Sequence, residues 1–253
     1  WDTALGRRDE AQAAGIAVTE DAAAGAEMVL LSLPDDAAVR AVAGRLPAAG
    51  LRAGAVVIDT STVSPATPRL LAPRFAAIGL GWIDAPVSGG PAGAAEGRLV
   101  AMAGGEAETL AAARPVLDDL AHRVLHVGPP GAGAVAKLAN NLLLGANLIT
   151  AAEAIALARR AGVDPTRVLE AINGASGRSA ATEANLPRWI LSGRFDSGFT
   201  AGLMRKDLRL AAELAAAVGL TEGLVLEAVR RWLASPVPDA ADFNRVAAAV
   251  IAE

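Results

Sequence analysis

Short apolar runs alternate with helical stretches through the first half of the chain, and the alternation stops at Gly128. Met28–Leu33 (MVLLSL) is a continuous apolar run closed by Pro34, the pattern of a strand buried on both faces. Asp35 and Asp36 then open a helix that runs to about Arg45. Ala55–Asp59 is a second such strand, followed by Thr60, Ser61 and Thr62, and Ser64-Pro65 starts a helix to about Ala77 with proline at its first position. Trp82–Asp84 predicts a third strand that runs into APVSGG. Leu99–Ala103 predicts a fourth, closed by Gly104-Gly105, Glu106–Leu117 a helix, and Val124–Val127 a fifth strand. Strand and helix in regular succession predict a largely parallel, doubly wound sheet.

Beyond Gly128 only the helical period persists. Ala134–Arg160 predicts one long helix ending at Gly162, and Asp164-Pro165 begins another that stops at Asn173-Gly174. Thr182–Leu191, Leu203–Val218, Glu222–Ala234 and Asp242–Ala252 follow as helices. The expected architecture is therefore an α/β domain over residues 1–128 and an all-helical domain over 129–253, built on the long helix that joins them.

Composition narrows the function classes. Hydrophobic residues make up 53% of 253, much of it alanine, which favours helix and buries little area per residue. A net charge of −4, few aromatics and no basic block argue against a nucleic-acid partner. The absence of cysteine excludes disulfides and thiolate metal sites and fits a cytoplasmic location. His122 and His126 in AHRVLH have a spacing that could serve a metal on a helix, but Val124, Leu125 and Val127 favour a short strand between them. The longest apolar segment, Ala134 to Ala158, is interrupted by Lys137, Asn140, Asn141 and Glu153, so it reads as a buried globular helix and not as a membrane span. So apolar a helix is under-covered by the chain that follows it. The expectation is at least a dimer, either a homodimer or a homotetramer.

Candidate chemistry concentrates where that helix begins. In GPPGAGAVAKLANN, Lys137 is followed one turn later by Asn140 and Asn141, so the ammonium and the amides share a helix face. A lone cation beside two amides is costly to bury without a purpose, although a snorkelling lysine with two solvated asparagines has the same pattern. In open α/β sheets ligands bind beyond the C-terminal ends of the strands. Leu33-Pro34, Ser61-Thr62 and Ser88-Gly89-Gly90 all end predicted strands, and successive glycines let backbone N–H groups approach a small anion such as a carboxylate. Lys206 and Asp207, in GFTAGLMRKDL, are either a surface ion pair or a lysine returned to the cleft. Phe199, two turns earlier, is either a pocket wall or core.

LSLPDD (Leu31–Asp36), IDTSTVSP (Ile58–Pro65), DAPVSGGPAGAAEGRL (Asp84–Leu99), GPPGAGAVAKLANN, AEAIALARRAGVD (Ala152–Asp164) and FTAGLMRKDLRLA (Phe199–Ala211) occur in an order that resembles the β-hydroxyacid dehydrogenase family. That family includes 3-hydroxyisobutyrate dehydrogenases and tartronate semialdehyde and glyoxylate/succinic semialdehyde reductases. The resemblance implies a Rossmann-type sheet followed by a helical substrate domain. It also implies hydride transfer between NAD or NADP and a short β-hydroxyacid or semialdehyde. By the same resemblance Lys137 is the catalytic lysine and Asn141 the amide that holds substrate and lysine. Ser88, Gly89 and Gly90 form the substrate-carboxylate loop, with Ser88 among the catalytic residues. Leu33, Pro34, Thr62, Phe199, Lys206 and Asp207 fall to the cofactor side.

The chain departs from the family at its start. The family opens with a strand and a GxGxxG turn that cradles the pyrophosphate, and this sequence has neither. Trp1-Asp2 resembles the end of the family's second strand, so the sheet is expected to be N-terminally incomplete and to bind cofactor weakly. Asp2 stands where an acid would bond the adenine ribose 2′-hydroxyl, favouring NAD, while Arg7 and Arg8 could instead meet a 2′-phosphate. Two rivals remain: a catalytically impaired dimeric member acting as a binding protein, and an imine reductase of the same fold. Intact Lys137, Ser88 and Asn141 argue against the first. Lys137 argues against the second, whose members usually lack it. A 6-phosphogluconate dehydrogenase would carry a longer helical domain and a more basic pocket.

Overall fold

The structure, a computed structural model, describes residues 1–252. Three parallel strands, β1 (Met28–Leu31), β2 (Val56–Asp59) and β3 (Gly81–Asp84), pair in a register that sets Leu31 beside Asp59 and Asp59 beside Asp84. Their C-terminal ends therefore form one edge. The helices α2 (Asp36–Ala43) and α3 (Ala66–Ala76) return the chain between them. Beyond β3 the sheet is mixed, and the expectation of parallel strands holds only up to that point. β4 (Val87–Ser88) continues β3, and β5 (Val100–Gly104) runs antiparallel to both. The reason is the connection Gly89–Leu99. It contains only the short helix α4 (Gly90–Ala95), and a parallel crossover needs a dozen residues or more. After α5 (Ala107–Leu120), β6 (Arg123–Gly128) pairs parallel to β5. His126 lies inside β6 instead of flanking it, with Nε2 2.9 Å from Gly105 O and 3.1 Å from Gly128 O.

Two apolar layers cover the sheet. Ile58, Ile83, Leu110 and Leu117 pack on one face, and Val39, Val57, Phe75 and Trp82 on the other. Burial on both faces is what continuous apolar strands require. The helix α1 (Leu5–Ala13) was not expected: it buries no residue, so its sequence shows no apolar stripe to reveal it.

The second body forms around α6 (Ala132–Arg160), 29 residues or roughly 44 Å long. By length and hydropathy this helix could cross a bilayer. Its apolar stretch is instead mostly buried, with its first turns on the sheet and the rest among its neighbours. These are α7 (Pro165–Asn173), a π-type helix (Ala181–Ile190), α8 (Ala201–Ala217), α9 (Leu224–Ala234) and α10 (Asn244–Ala252). Asp164 caps α7 through the N–H of Thr166, and Thr200 caps α8 through that of Leu203. Pro187 sits inside the π-type helix, where its missing N–H already breaks the regular ladder. Leu148, Ile155, Leu186, Met204, Leu208 and Trp232 are fully buried together. Gly145 makes room for the indole of Trp232, whose Nε1–H donates to Gly145 O at 3.0 Å.

Candidate active site

The loops at the strand ends are built mainly from hydroxyls answering backbone. Thr60 Oγ1 donates to Leu31 O at 2.7 Å, and Ser61 Oγ accepts the N–H of Leu33 at 2.8 Å. Ser61 N–H in turn donates to Asp59 Oδ1 at 3.0 Å. Asp59 is fully buried, and burial pushes its carboxyl up to about 6. The acids after β1 are also committed. Asp35 caps α2 through Ala38 N–H, and Asp36 accepts Ser64 N–H and the Thr67 hydroxyl. Ser88 ends β4 half-buried, and Gly89 and Gly90 follow in left-handed conformations, with φ of 131° and 62°, that other residues rarely adopt. The loop from the helical body closes on this turn: a Cβ at Gly198 would lie 2.8 Å from Pro91 Cγ.

Lys137 projects from the second turn of α6 and is 8% exposed. Burial lowers its pKa from the ordinary lysine value. The charge of Asp207 opposes that shift, and that of Lys206 adds to it. Asn141, one turn on, donates through Nδ2 to Asp207 Oδ2 at 2.7 Å and accepts from Asn140 Nδ2 at 3.0 Å. Asp207 is 2% exposed, and burial raises its carboxyl above the usual range against the pull of Lys206 and Lys137. Lys206 Nζ stands 3.2 Å from Asp207 Oδ1, a charge contact outside hydrogen-bond geometry that leaves this buried oxygen without a hydrogen-bond partner. The same Nζ donates to Pro34 O at 3.0 Å and to Thr62 O at 2.7 Å. One lysine of α8 thus ties the helical body to the ends of β1 and β2.

The structure accordingly links Asn141, Asp207, Lys206, Pro34 and Thr62 by direct contacts, with the Lys137 amine near both charges and Leu33 held beside them by Ser61. Lys137, Asn141 and Asp207 are buried, Lys206 and Thr62 half-buried, and Pro34 exposed. Phe199 packs edge-on against Phe243 at 5.2 Å between ring centres, partly in the helical core. Asp2 stays within its own segment, accepting Ala4 N–H at 2.7 Å at the start of α1, while Arg8 lies over the Trp1 ring. No hydrogen bond or ion pair among the described residues links Asp2 to the strand ends.

Sequence reasoning assigns no role to Asp84, yet this residue sets where α6 begins. It is 1% exposed at the end of β3, and its two carboxylate oxygens accept the N–H groups of Gly131 at 2.8 Å and Ala134 at 2.9 Å. Its signal was an acid at a strand end combined with a glycine-rich helix start lacking any Ser, Thr, Asp or Asn cap of its own.

The chain is similar to known dehydrogenases. Residues 2–128 match the family described as the NAD binding domain of 6-phosphogluconate dehydrogenase. Residues 131–247 match the NAD-binding family of NADP-dependent 3-hydroxyisobutyrate dehydrogenase. A 2-(hydroxymethyl)glutarate dehydrogenase of Eubacterium barkeri is 40% identical over 195 residues, 76% of this chain and 64% of that protein. A probable 3-hydroxyisobutyrate dehydrogenase of Mycobacterium tuberculosis is 37% identical over 233 residues, 88% of this chain and 79% of that one. A solved M. tuberculosis 3-hydroxyisobutyrate dehydrogenase with L-serine superposes with a TM-score of 0.91 at 35% identity, covering 98% of this chain and 89% of that chain.

Proposed function

We propose a function from one premise: this chain belongs to the β-hydroxyacid dehydrogenase family. It is an oxidoreductase that moves a hydride between NAD or NADP and a short β-hydroxyacid of the 3-hydroxyisobutyrate kind, or the corresponding semialdehyde. The observation that carries this reading is the Lys137 amine, buried, depressed in pKa, and set beside the Asn141–Asp207–Lys206 cluster where the two bodies meet.

The residues present fit a dinucleotide. The loops after β1 and β2 open at one edge, where Lys206 brings a cation onto Pro34 O and Thr62 O and the side chains of Asp35 and Asp36 are held by backbone N–H groups. Leu33, Pro34 and Thr62 would hold the cofactor from the sheet, with Lys206 reaching it from the helical body. A bound nicotinamide supplies the hydride chemistry. Lys137 handles the proton. As a neutral amine it takes the proton of the substrate hydroxyl, and as an ammonium it returns one to the carbonyl oxygen. An amine at the ordinary lysine value would be almost wholly protonated near neutrality, and burial moves it toward the working range. Ser88 and the amides of Gly89 and Gly90 hold the substrate carboxylate, and Asn141 orients substrate and lysine together. The intact lysine, serine and asparagine stand against a non-catalytic role, and the lysine against imine reduction. Assaying short β-hydroxyacids and semialdehydes with NAD and with NADP tests the reading: turnover of none of them would overturn it.

Asp207→Asn gives a sharper test of the charge cluster. The carboxylate raises the Lys137 pKa, so its removal lowers that value further and leaves Lys206 unopposed. The limb of the kcat/KM profile that reports the neutral amine is expected to move to lower pH in the oxidation direction. An unmoved limb, or one displaced to higher pH, contradicts this assignment.

A second copy of the chain covers α6. Leu143 and Leu157 are exposed on one face about four turns apart, with Ala139 and Ala154 along it. Thr150, between them, spends its hydroxyl on Ala146 O and Asn147 O. Light scattering is expected to give the mass of a dimer or tetramer, and a charge placed at Leu157 to shift it toward monomer. A monomeric mass for the parent protein would refute this. The cysteine-free composition supports a cytoplasmic location.

A further inference from the structure

We infer that Asp84 is a positioning residue for Lys137: through its clasp on the first turn of α6 it fixes where the amine stands relative to the Ser88 loop. The inference rests on the reading of Lys137 as the acid/base group. Its physical basis is a chain of rigid contacts. β3 ends at Asp84, and β4 continues it to Ser88, so carboxylate and serine loop hang from one length of strand. The two carboxylate oxygens hold the amides of Gly131 and Ala134. Ala134 lies one helical turn before Lys137, on the same face, so the bonded amide and the amine move together.

The space around the clasp admits one arrangement. A Cβ at Gly104 would meet Asp84 Oδ1 and Oδ2 at 2.8 Å and Gly133 N at 2.7 Å, and one at Gly133 would meet Asp84 O at 2.6 Å. Both glycines therefore exist to let strand, carboxylate and helix start close on each other. A Cβ at Gly131 would lie 2.9 Å from Pro65 O, so the same turn is also pressed against the start of α3. A helix with no side-chain cap of its own is thereby positioned by a carboxylate from the sheet. Burial pushes the Asp84 carboxyl up to about 6 against the pull of the Gly131 and Ala134 amides, and the charge of Asp59, in direct register on β2, adds to that rise.

The test uses Asp84→Asn and Asp84→Glu in the otherwise native protein. Asparagine keeps the shape but turns a donor toward one of the two amides. Glutamate keeps the charge and both acceptor oxygens but is one methylene longer, so it pushes the helix start away from the sheet. Displacement near 1 Å of a reacting group costs on the order of a hundredfold in rate, and that loss is expected in kcat for both variants, with KM for the hydroxyacid changed far less. The independent readout is the carbon resonance of Lys137 after isotopic methylation of the amine, expected to move in both variants. Amide exchange at Gly131 and Ala134 should quicken in Asp84→Asn and stay slow in Asp84→Glu.

A merely structural cap would be rescued by glutamate, so parental kcat in folded Asp84→Glu overturns the proposal. An unmoved Lys137 resonance in a folded variant overturns it as well. Failure of both variants to fold assigns Asp84 to stability alone, with the same consequence. Should Lys137→Ala retain turnover while the Asp84 variants still move the Lys137 resonance, the acid/base reading has failed and the positioning has not.

Discussion

Lys137→Ala is expected to lower kcat by ~10²–10⁴-fold, the range that a positioned general acid/base contributes, with NAD and NADP affinity changed by less than about threefold. The separation follows from where the residue sits. Lys137 belongs to the second turn of α6, whereas Pro34 and Thr62 are held by Lys206, which the substitution leaves in place. Buried Asp207 keeps the charge of Lys206 and the amide of Asn141 when the lysine is removed, so the fold should survive. Steady-state kinetics with cofactor titration by fluorescence checks both halves. Turnover within tenfold of the parent removes Lys137 from the chemistry, and joint loss of cofactor binding makes it a structural lysine.

Trp232→Ala is expected to destabilise the protein by about 3–5 kcal/mol, the cost of emptying a large buried aromatic site. The side chain is fully buried between α6 and α8, stacks near Phe243 at 6.4 Å, and satisfies Gly145 O through its indole N–H. Its loss opens a cavity and removes the indole bond to Gly145 O, which keeps its place in the α6 ladder. Because α6 runs from this core to Lys137, activity should fall at temperatures where the parent is still stable. Chemical denaturation measures the change, and a loss below about 1 kcal/mol would mean that the helical core repacks around the gap.

The fold was legible where hydrophobic period and punctuation agreed. Met28–Leu31, Val56–Asp59 and the Asp164-Pro165 start of α7 fall within a residue or two of expectation, because apolar runs bounded by Pro, Gly or a cap leave few alternatives. The reversed β5 was not legible. Val100–Gly104 looks the same in either direction, and only the shortness of the Gly89–Leu99 connection decides it. The exposed helix α1 had no stripe to read. At the site, Lys137, Asn141 and Asp207 were visible as polar residues in apolar or motif settings, and the structure brings them together. Two facts needed coordinates. Lys206 meets Pro34 and Thr62 across the domain boundary, and Asp84 holds amides nearly fifty positions away in the chain. Neither is written in local spacing, since both depend on which elements pack.

The central claim is that the Lys137 amine is held neutral enough to take a proton. Titration of its isotopically methylated nitrogen by carbon NMR tests this most directly. A midpoint well below the ordinary lysine value of 10.5, coincident with a limb of the kcat/KM profile, is the result predicted. A midpoint at that ordinary value, with the rate limb elsewhere, would contradict the account.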